Sequence, residues 1–254
     1  VVASGLLGRP NFVLHTLINP GQRVIGTAWR HRRAMGGVLF DVGIHNTYEM
    51  EMLLGPLVAV CGQSQQITRS FRGQEFDGRE VEVTVDAEDC FAALLRFASG
   101  CQGQYTVHFA SAGDSFGKRL LLGEGGTMEG PFPRSGGSPV VRLGAESLSG
   151  EALVERLPNY RLNDLEAALF GQRCSGYQWE YPVTDRKLIA AELGDFAQAV
   201  RTGGRPEADG ATGLRAVGIV WAIMESALAQ RPVTLAEVLS GELHAYQDTV
   251  EAAG

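Results

Sequence analysis

Asp41 and His45 stand four residues apart behind a glycine pair, in the run Gly36-Gly37-Val38-Leu39-Phe40-Asp41-Val42-Gly43-Ile44-His45. On a helix, residues at that spacing share one face, one turn apart. An imidazole with a carboxylate nearby is a usable proton acceptor near neutral pH. Three readings of the pair stand open. In the first, His45 takes a proton from a hydroxyl as hydride leaves the same carbon, and Asp41 orients the ring or binds another hydroxyl. Acid–base assistance of this kind is worth roughly 10²–10⁴ in rate. In the second, Asp41, His45 and Glu49 form a metal-binding face at i, i+4 and i+8. In the third, Asp41 caps the helix, where the macrodipole favours its charge, and His45 is a satisfied side chain without chemistry. Tyr48, three residues on, either shapes a polar pocket or packs in the core.

These residues need a helix to hold them. Val38, Val42, His45, Glu49 and Met52 follow a helical period, and Gly55-Pro56 stops it. Gly43 weakens the interior of that helix by roughly 0.5–1 kcal/mol relative to Ala, a cost tolerated where another backbone or a flat ligand approaches closely. Upstream, Phe12 to Leu17 reads as a strand and Val24 to Arg30 as a second extended segment, with Asn19-Pro20-Gly21 as a turn between. Downstream, 57–67, 80–85, 90–97 and 101–109 read as strands, the last two joined at Ser99-Gly100. Short strands at 120–122 and 127–129 flank another turn. Residues 131–139 read as a surface loop, and the alternation of Tyr177, Trp179 and Tyr181 as a late strand.

The C-terminal part reads as helical. Thr184 is placed as the cap of a helix with Ile189, Leu193, Phe196 and Val200 on one stripe. Thr212 begins another, with Leu214, Val217, Trp221, Met224 and Leu228 on its buried face. Thr234-Leu235-Ala236-Glu237 fits a capping box. The fold expected is α+β: a large, open, predominantly antiparallel sheet with helices packed on one face.

Composition narrows the function. The 254 residues carry a net charge of -7, which disfavours non-specific nucleic-acid binding. The most apolar helical stretch, 216–229, is interrupted by Glu225 and too short to span a bilayer. With no secretory leader pattern, a cytoplasmic location is expected. The four cysteines lack C-x-x-C spacing, and free thiols are expected. Of 22 basic residues only Lys118 and Lys187 are lysines, so few candidates exist for lysine chemistry. No G-x-G-x-x-G, Walker A, G-x-S-x-G or H-E-x-x-H motif occurs.

The order of motifs resembles the carboxy-terminal part of the Gfo/Idh/MocA family, the glucose–fructose oxidoreductase and inositol dehydrogenase-like enzymes. Met35-Gly36-Gly37 through Asp41-Val42-Gly43-Ile44-His45 is similar to the family's Gly-rich segment followed by D-x-G-x-H. Trp29-Arg30 resembles its approach to that helix. Glu88-Asp89, Gly123-Glu124-Gly125-Gly126-Thr127, Asp195-Phe196, Gly203-Gly204-Arg205-Pro206 and Arg231-Pro232-Val233 continue the match in order. Met35 departs from the usual glycine triplet, and Tyr48 stands where the family often has Asp.

The resemblance implies one substrate domain over 1–254, with 1–10 as the remainder of an interdomain linker. It implies a parent oxidoreductase moving hydride between a sugar or polyol-like carbon and NAD or NADP, the cofactor bound mainly by an amino-terminal Rossmann domain absent from this chain. His45 and Asp41 then become the catalytic pair, His45 the acid/base, with Trp29, Arg30 and Tyr48 beside the substrate. Neither lysine matches the family's E-K-P segment. A homodimer or homotetramer through the open sheet is implied, with no nucleic acid, membrane or metal. The chain alone is expected to be inactive. The competing reading is a non-catalytic oligomerisation or interaction module.

Overall fold

The computed structural model describes residues 1–21, 27–75 and 77–253. It is α+β, with a nine-stranded, mostly antiparallel sheet and helices. The chain divides into two compact units, one of residues 12–118 and 211–254, the other of residues 1–11 and 119–210.

The first of these contains the Asp–His helix. Its strands are β1 (Pro10–Pro20), β2 (Leu57–Gln65), β3 (Ser70–Gln74), β4 (Glu80–Thr84), β5 (Cys90–Phe97) and β6 (Gln102–Ser111). The sheet order runs β1-β6-β5-β2 and ends on the two-residue strand Val233–Thr234, while β3 and β4 form a separate hairpin. β5 shows why the sequence makes a one-sided sheet. Phe91, Ala93, Leu95 and Phe97 are buried, whereas Ala92, Leu94 and Arg96 between them are exposed. The β5–β6 pair is antiparallel, as the hairpin signal predicts. β1 instead runs parallel to β6, Phe12 opposite Gln102.

Helix α1 (Gly37–Leu54) lies on the buried side of this sheet. Gly37 has φ of 71°, and a side chain there would meet Ala87 Cβ at 2.7 Å. The glycine pair thus supplies both the turn into the helix and the room for it. Gly43 is small for packing: a Cβ would stand 3.2 Å from Val220 and 3.7 Å from the Tyr105 hydroxyl. Tyr105 donates to the Gly43 carbonyl at 3.2 Å and accepts from Asn46 Nδ2 at 2.9 Å. The close approach foreseen at Gly43 is made by the protein's own core.

A long C-terminal helix, Gly210–Ala229, completes the packing. Ile219, Val220, Ala222 and Ile223 are fully buried. Ser226 Oγ accepts from Gly62 N–H at 2.9 Å, and Thr47 donates to the Ala216 carbonyl at 2.8 Å. Arg215 pairs with Glu51 through Nε at 3.0 Å, while Glu51 also accepts from Leu57 N–H at 2.7 Å. By length and composition this helix is apolar enough to cross a membrane, but half of its apolar window is buried inside the protein, as in a core helix. It is longer than the apolar stretch marked in the sequence. Of the expected stripe Met224 is buried, whereas Leu214, Val217 and Leu228 are exposed; the buried face is instead carried by Ala216, Ile219, Val220, Ala222 and Ile223.

In the other unit, β7 (Phe116–Gly123) pairs with β8 (Thr127–Glu129), β8 with β9 (Val140–Leu143), and β9 with β10 (Glu146–Leu148). Three helices follow, α2 (Gly150–Glu155), α3 (Asp164–Phe170) and α4 (Tyr181–Thr202). Two expectations fail here. Tyr177 and Trp179 are not in a strand; they stack on each other at 4.6 Å, and Tyr181 opens α4. On α4 the cap position is Glu180, Thr184 is buried inside the helix, and Ile189, Leu193, Phe196 and Val200 are exposed. The capping box at Thr234 and Glu237 forms as expected; the bonds from the Thr234 N–H and hydroxyl first, and then the one from Arg231, lower the Glu237 carboxyl pKa to about 2.

Candidate functional site

The outer side of α1 carries the predicted pair. Asp41 is half-buried in the second turn of the helix and His45 is exposed one turn later. No hydrogen bond joins them among the described residues. The Asp41 carboxylate is instead held by Arg30, whose Nε donates to Oδ2 at 2.8 Å. The Arg30 guanidinium also lies 4.7 Å from the centre of the Trp29 ring. Trp29, Arg30 and Asp41 therefore come together as one polar and aromatic group, with His45 on the same helix and Tyr48 half-buried three residues beyond it.

Trp29 and Arg30 sit in a 3-10 turn, Ala28–His31, followed by a second, Arg33–Met35. The extended segment foreseen here is thus a turn over 28–31, and residues 22–26 lie outside the described residues. His31 is buried, edge-on to Phe71 at 5.1 Å. Burial lowers its pKa, opposed by the charge of Asp89 and reinforced by that of Arg30. Asp89 is itself buried and accepts from Ile67 and Thr68 N–H at 2.8 Å each, so it serves the backbone.

Residues with no role at the site legible in the sequence tie this region down. Asp86 accepts from Arg32 Nε at 2.9 Å and from Arg33 N–H at 2.6 Å. Arg33 reaches Glu88 at 3.0 Å, and the Tyr246 hydroxyl donates to the same carboxylate. Burial first, then the charge of Glu88 and the bond to it, push the Tyr246 phenol up. Phe40, next to Asp41, packs on Trp221 at 4.5 Å, and Trp221 meets Tyr246 at 5.8 Å. The first turn of α1 is thus held by an aromatic cluster, and the 3-10 turn that precedes it by ion pairs. Sequence separations of 53 residues for Arg33–Asp86 and 158 for Tyr246–Glu88 leave no local signal for these bonds.

The groups present are an exposed imidazole, suited by its chemistry to proton transfer, and one helical turn away a carboxylate paired with a guanidinium, an acceptor and a donor of the kinds that recognise hydroxyls. No group of three or more His, Cys, Asp or Glu side chains among the described residues is placed to hold a metal ion. A dinucleotide needs open glycine backbone where its phosphates can lie. The nearest feature is the run 123–126. A Cβ at Gly123 would meet the Leu7 carbonyl oxygen at 2.2 Å, and at Gly126 the Arg142 carbonyl oxygen at 2.5 Å. Those glycines admit the chain's own backbone, and the residues do not fit a dinucleotide.

The family model described as the C-terminal alpha/beta domain of an oxidoreductase family, Gfo/Idh/MocA, matches residues 1–235. No curated protein matches by sequence. Among solved structures, an NAD binding oxidoreductase from Klebsiella pneumoniae superposes with a TM-score of 0.68 at 21% identity, over 92% of this chain and 61% of that one. Levoglucosan dehydrogenase in complex with NADH gives 0.69 at 19% identity, over 92% and 60%. An oxidoreductase from Agrobacterium radiobacter in complex with NAD+, L-tartaric acid and magnesium gives 0.62 at 16% identity, over 93% and 60%. At these identities the likeness establishes the fold. The chain spans about three-fifths of the length of each of these structures.

Proposed function

The chain belongs to the Gfo/Idh/MocA oxidoreductase family, as its C-terminal alpha/beta domain, and on that premise we propose that it supplies the substrate side of a nicotinamide-dependent dehydrogenase. The reaction is hydride transfer between a hydroxyl-bearing carbon of a sugar or polyol-like molecule and NAD or NADP. The observation that carries this reading is the exposed His45 imidazole one helical turn from an Asp41 held by Arg30. His45 takes the proton of the reacting hydroxyl oxygen, or returns it in the reverse direction. With its Oδ2 on Arg30, Asp41 is better placed to bind a neighbouring hydroxyl than to orient the imidazole. Trp29 is 42% exposed and offers a ring face to the carbon side of a sugar, and Tyr48 adds a hydroxyl. The dinucleotide is assigned to a separate amino-terminal domain, because Gly123 and Gly126, in the glycine run nearest to a phosphate loop, are filled by the chain's own backbone.

Self-association through the open sheet belongs to the same proposal, as a homodimer or homotetramer. Leu94 is 62% exposed in the middle of β5, in register with Cys61 and Gln104 on the neighbouring strands. An apolar side chain at the centre of a sheet face is a natural contact with a second copy.

The test is a turnover screen of the full product of the gene with NAD and NADP over a panel of sugars, polyols and hydroxy acids. Oxidation of at least one sugar or polyol is expected. Well-folded protein that binds the dinucleotide and turns over none of them would overturn the proposal.

A further inference from the structure

We infer that Glu75, in the turn of the β3–β4 hairpin, positions the Trp29–Arg30 segment against Asp41; this rests on the reading of those residues as the substrate side of the site. Glu75 sits among exposed neighbours, residues 77 to 80. Its own side chain is only 11% exposed. One carboxylate oxygen accepts from Ala28 N–H at 2.9 Å, across 47 residues of sequence, and the other pairs with Arg79.

The hairpin turn does not need that carboxylate to close. Gly78 N–H donates to the Glu75 carbonyl and Glu75 N–H to the Arg79 carbonyl, each at 2.9 Å. The 28–31 turn does need an acceptor. Its capping residue, Thr27, makes no side-chain cap bond, and the first N–H groups of a helical turn have no partner within it. Glu75 supplies one of them. The same Ala28 N–H and the Arg79 charge lower the Glu75 pKa, so the carboxylate stays ionised for this bond.

The remaining hairpin contacts fix the turn from behind. Phe71, Val83 and Val85 form a small buried core, with Ala28 and Val81 packed against it. The far end is held by Asp86, whose N–H donates to the His31 carbonyl at 3.3 Å and whose carboxylate accepts from Arg33 N–H. Trp29 and Arg30 lie between these two holds. A displacement at Ala28 therefore shifts the Trp29 ring and the Arg30–Asp41 pair together. Glu75 acts through Ala28 and touches no reacting group, which makes it a positioning residue.

Fluorine NMR of the protein labelled with 5-fluorotryptophan tests this. The three indole lines, Trp29, Trp179 and Trp221, are assigned by Trp→Phe variants. Glu75→Ala is expected to move or broaden the Trp29 line alone and to speed hydrogen exchange at Ala28 by about tenfold or more. Glu75→Gln keeps an oxygen for Ala28 and restores both, and Arg79→Ala leaves both unchanged. A Trp29 line and an Ala28 exchange rate that do not respond to Glu75→Ala overturn the inference. If Glu75→Ala shifts all three lines, Glu75→Asp, too short to reach Ala28, replaces it under the same criterion. Turnover of Glu75→Ala in the full product of the gene then separates the two readings. A raised KM with kcat within about threefold of wild type supports both. A displaced Trp29 line with unchanged KM upholds the positioning and removes Trp29–Arg30 from the substrate side.

Discussion

On the inner side of α1, Asn46 and Thr47 are buried, Asn46 bonded to Tyr105 and Thr47 to the Ala216 carbonyl. On the outer side, His45 is exposed and Asp41 is gripped by a guanidinium from another turn. Both sides are polar, but their polar groups do different work. Inside, each donor has an acceptor within the fold, because a buried orphan costs about 1–3 kcal/mol. Outside, the imidazole is left to solvent, where its proton can be exchanged with a ligand. One helix thus separates polar groups that build the core from the polar groups to which we assign the proposed chemistry.

Breaking the inner side should have the largest effect on stability. Tyr105→Ala removes a fully buried ring, and a loss of about 3–5 kcal/mol is expected from chemical denaturation. Tyr105→Phe keeps the ring but leaves the Asn46 amide without its acceptor, so a loss of about 1–3 kcal/mol is expected. A Tyr105→Phe variant as stable as wild type would show that this hydroxyl is not part of the core.

His31 sharpens the comparison on the acid side. Burial holds its folded pKa below the ordinary 6.5. The unfolded chain then takes up this proton first as pH falls. The His31 contribution is complete above about 6.5 and is lost as pH drops from there toward the folded value, below which the loss is constant. Thermal midpoints measured from pH 7.5 down to 5 should fall less steeply in His31→Phe than in wild type. Parallel curves would remove His31 from the acid response.

The smallest stability effect belongs to the outer side. Arg30→Met breaks a partly exposed pair and should cost about 1 kcal/mol or less. A larger loss in denaturation would mean that Arg30 is structural and that the two sides of α1 do not differ as described.

What the sequence made legible follows from how local each signal is. The helical period of Val38, Val42, His45, Glu49 and Met52 marked α1, and the Ser99–Gly100 hairpin and the Thr234–Glu237 box were readable from neighbouring residues alone. The Asp41–His45 spacing was readable too, but not the partner of Asp41. Arg30 arrives from a segment held by Glu75 through Ala28 and by Asp86 through Arg33, across 47 and 53 residues of sequence. The helical stripe on α4 was equally clear as a pattern, yet Leu193, Phe196 and Val200 are exposed. A period of 3.6 marks one face of a helix and leaves open what covers it. The alternation at Tyr177 and Trp179 misled for a related reason: ring stacking and Lys187, 4.4 Å from the Trp179 ring, replaced a strand partner.

The most direct test of the central claim compares His45→Gln with wild type in the full product of the gene, on the best substrate of the screen. The outer side of α1 is claimed to hold chemistry and not the fold. A drop in kcat/KM of about 100-fold or more, with unfolding free energy within about 0.5 kcal/mol of wild type, is the expected result. Turnover retained within about threefold, in a variant equally well folded, would contradict it.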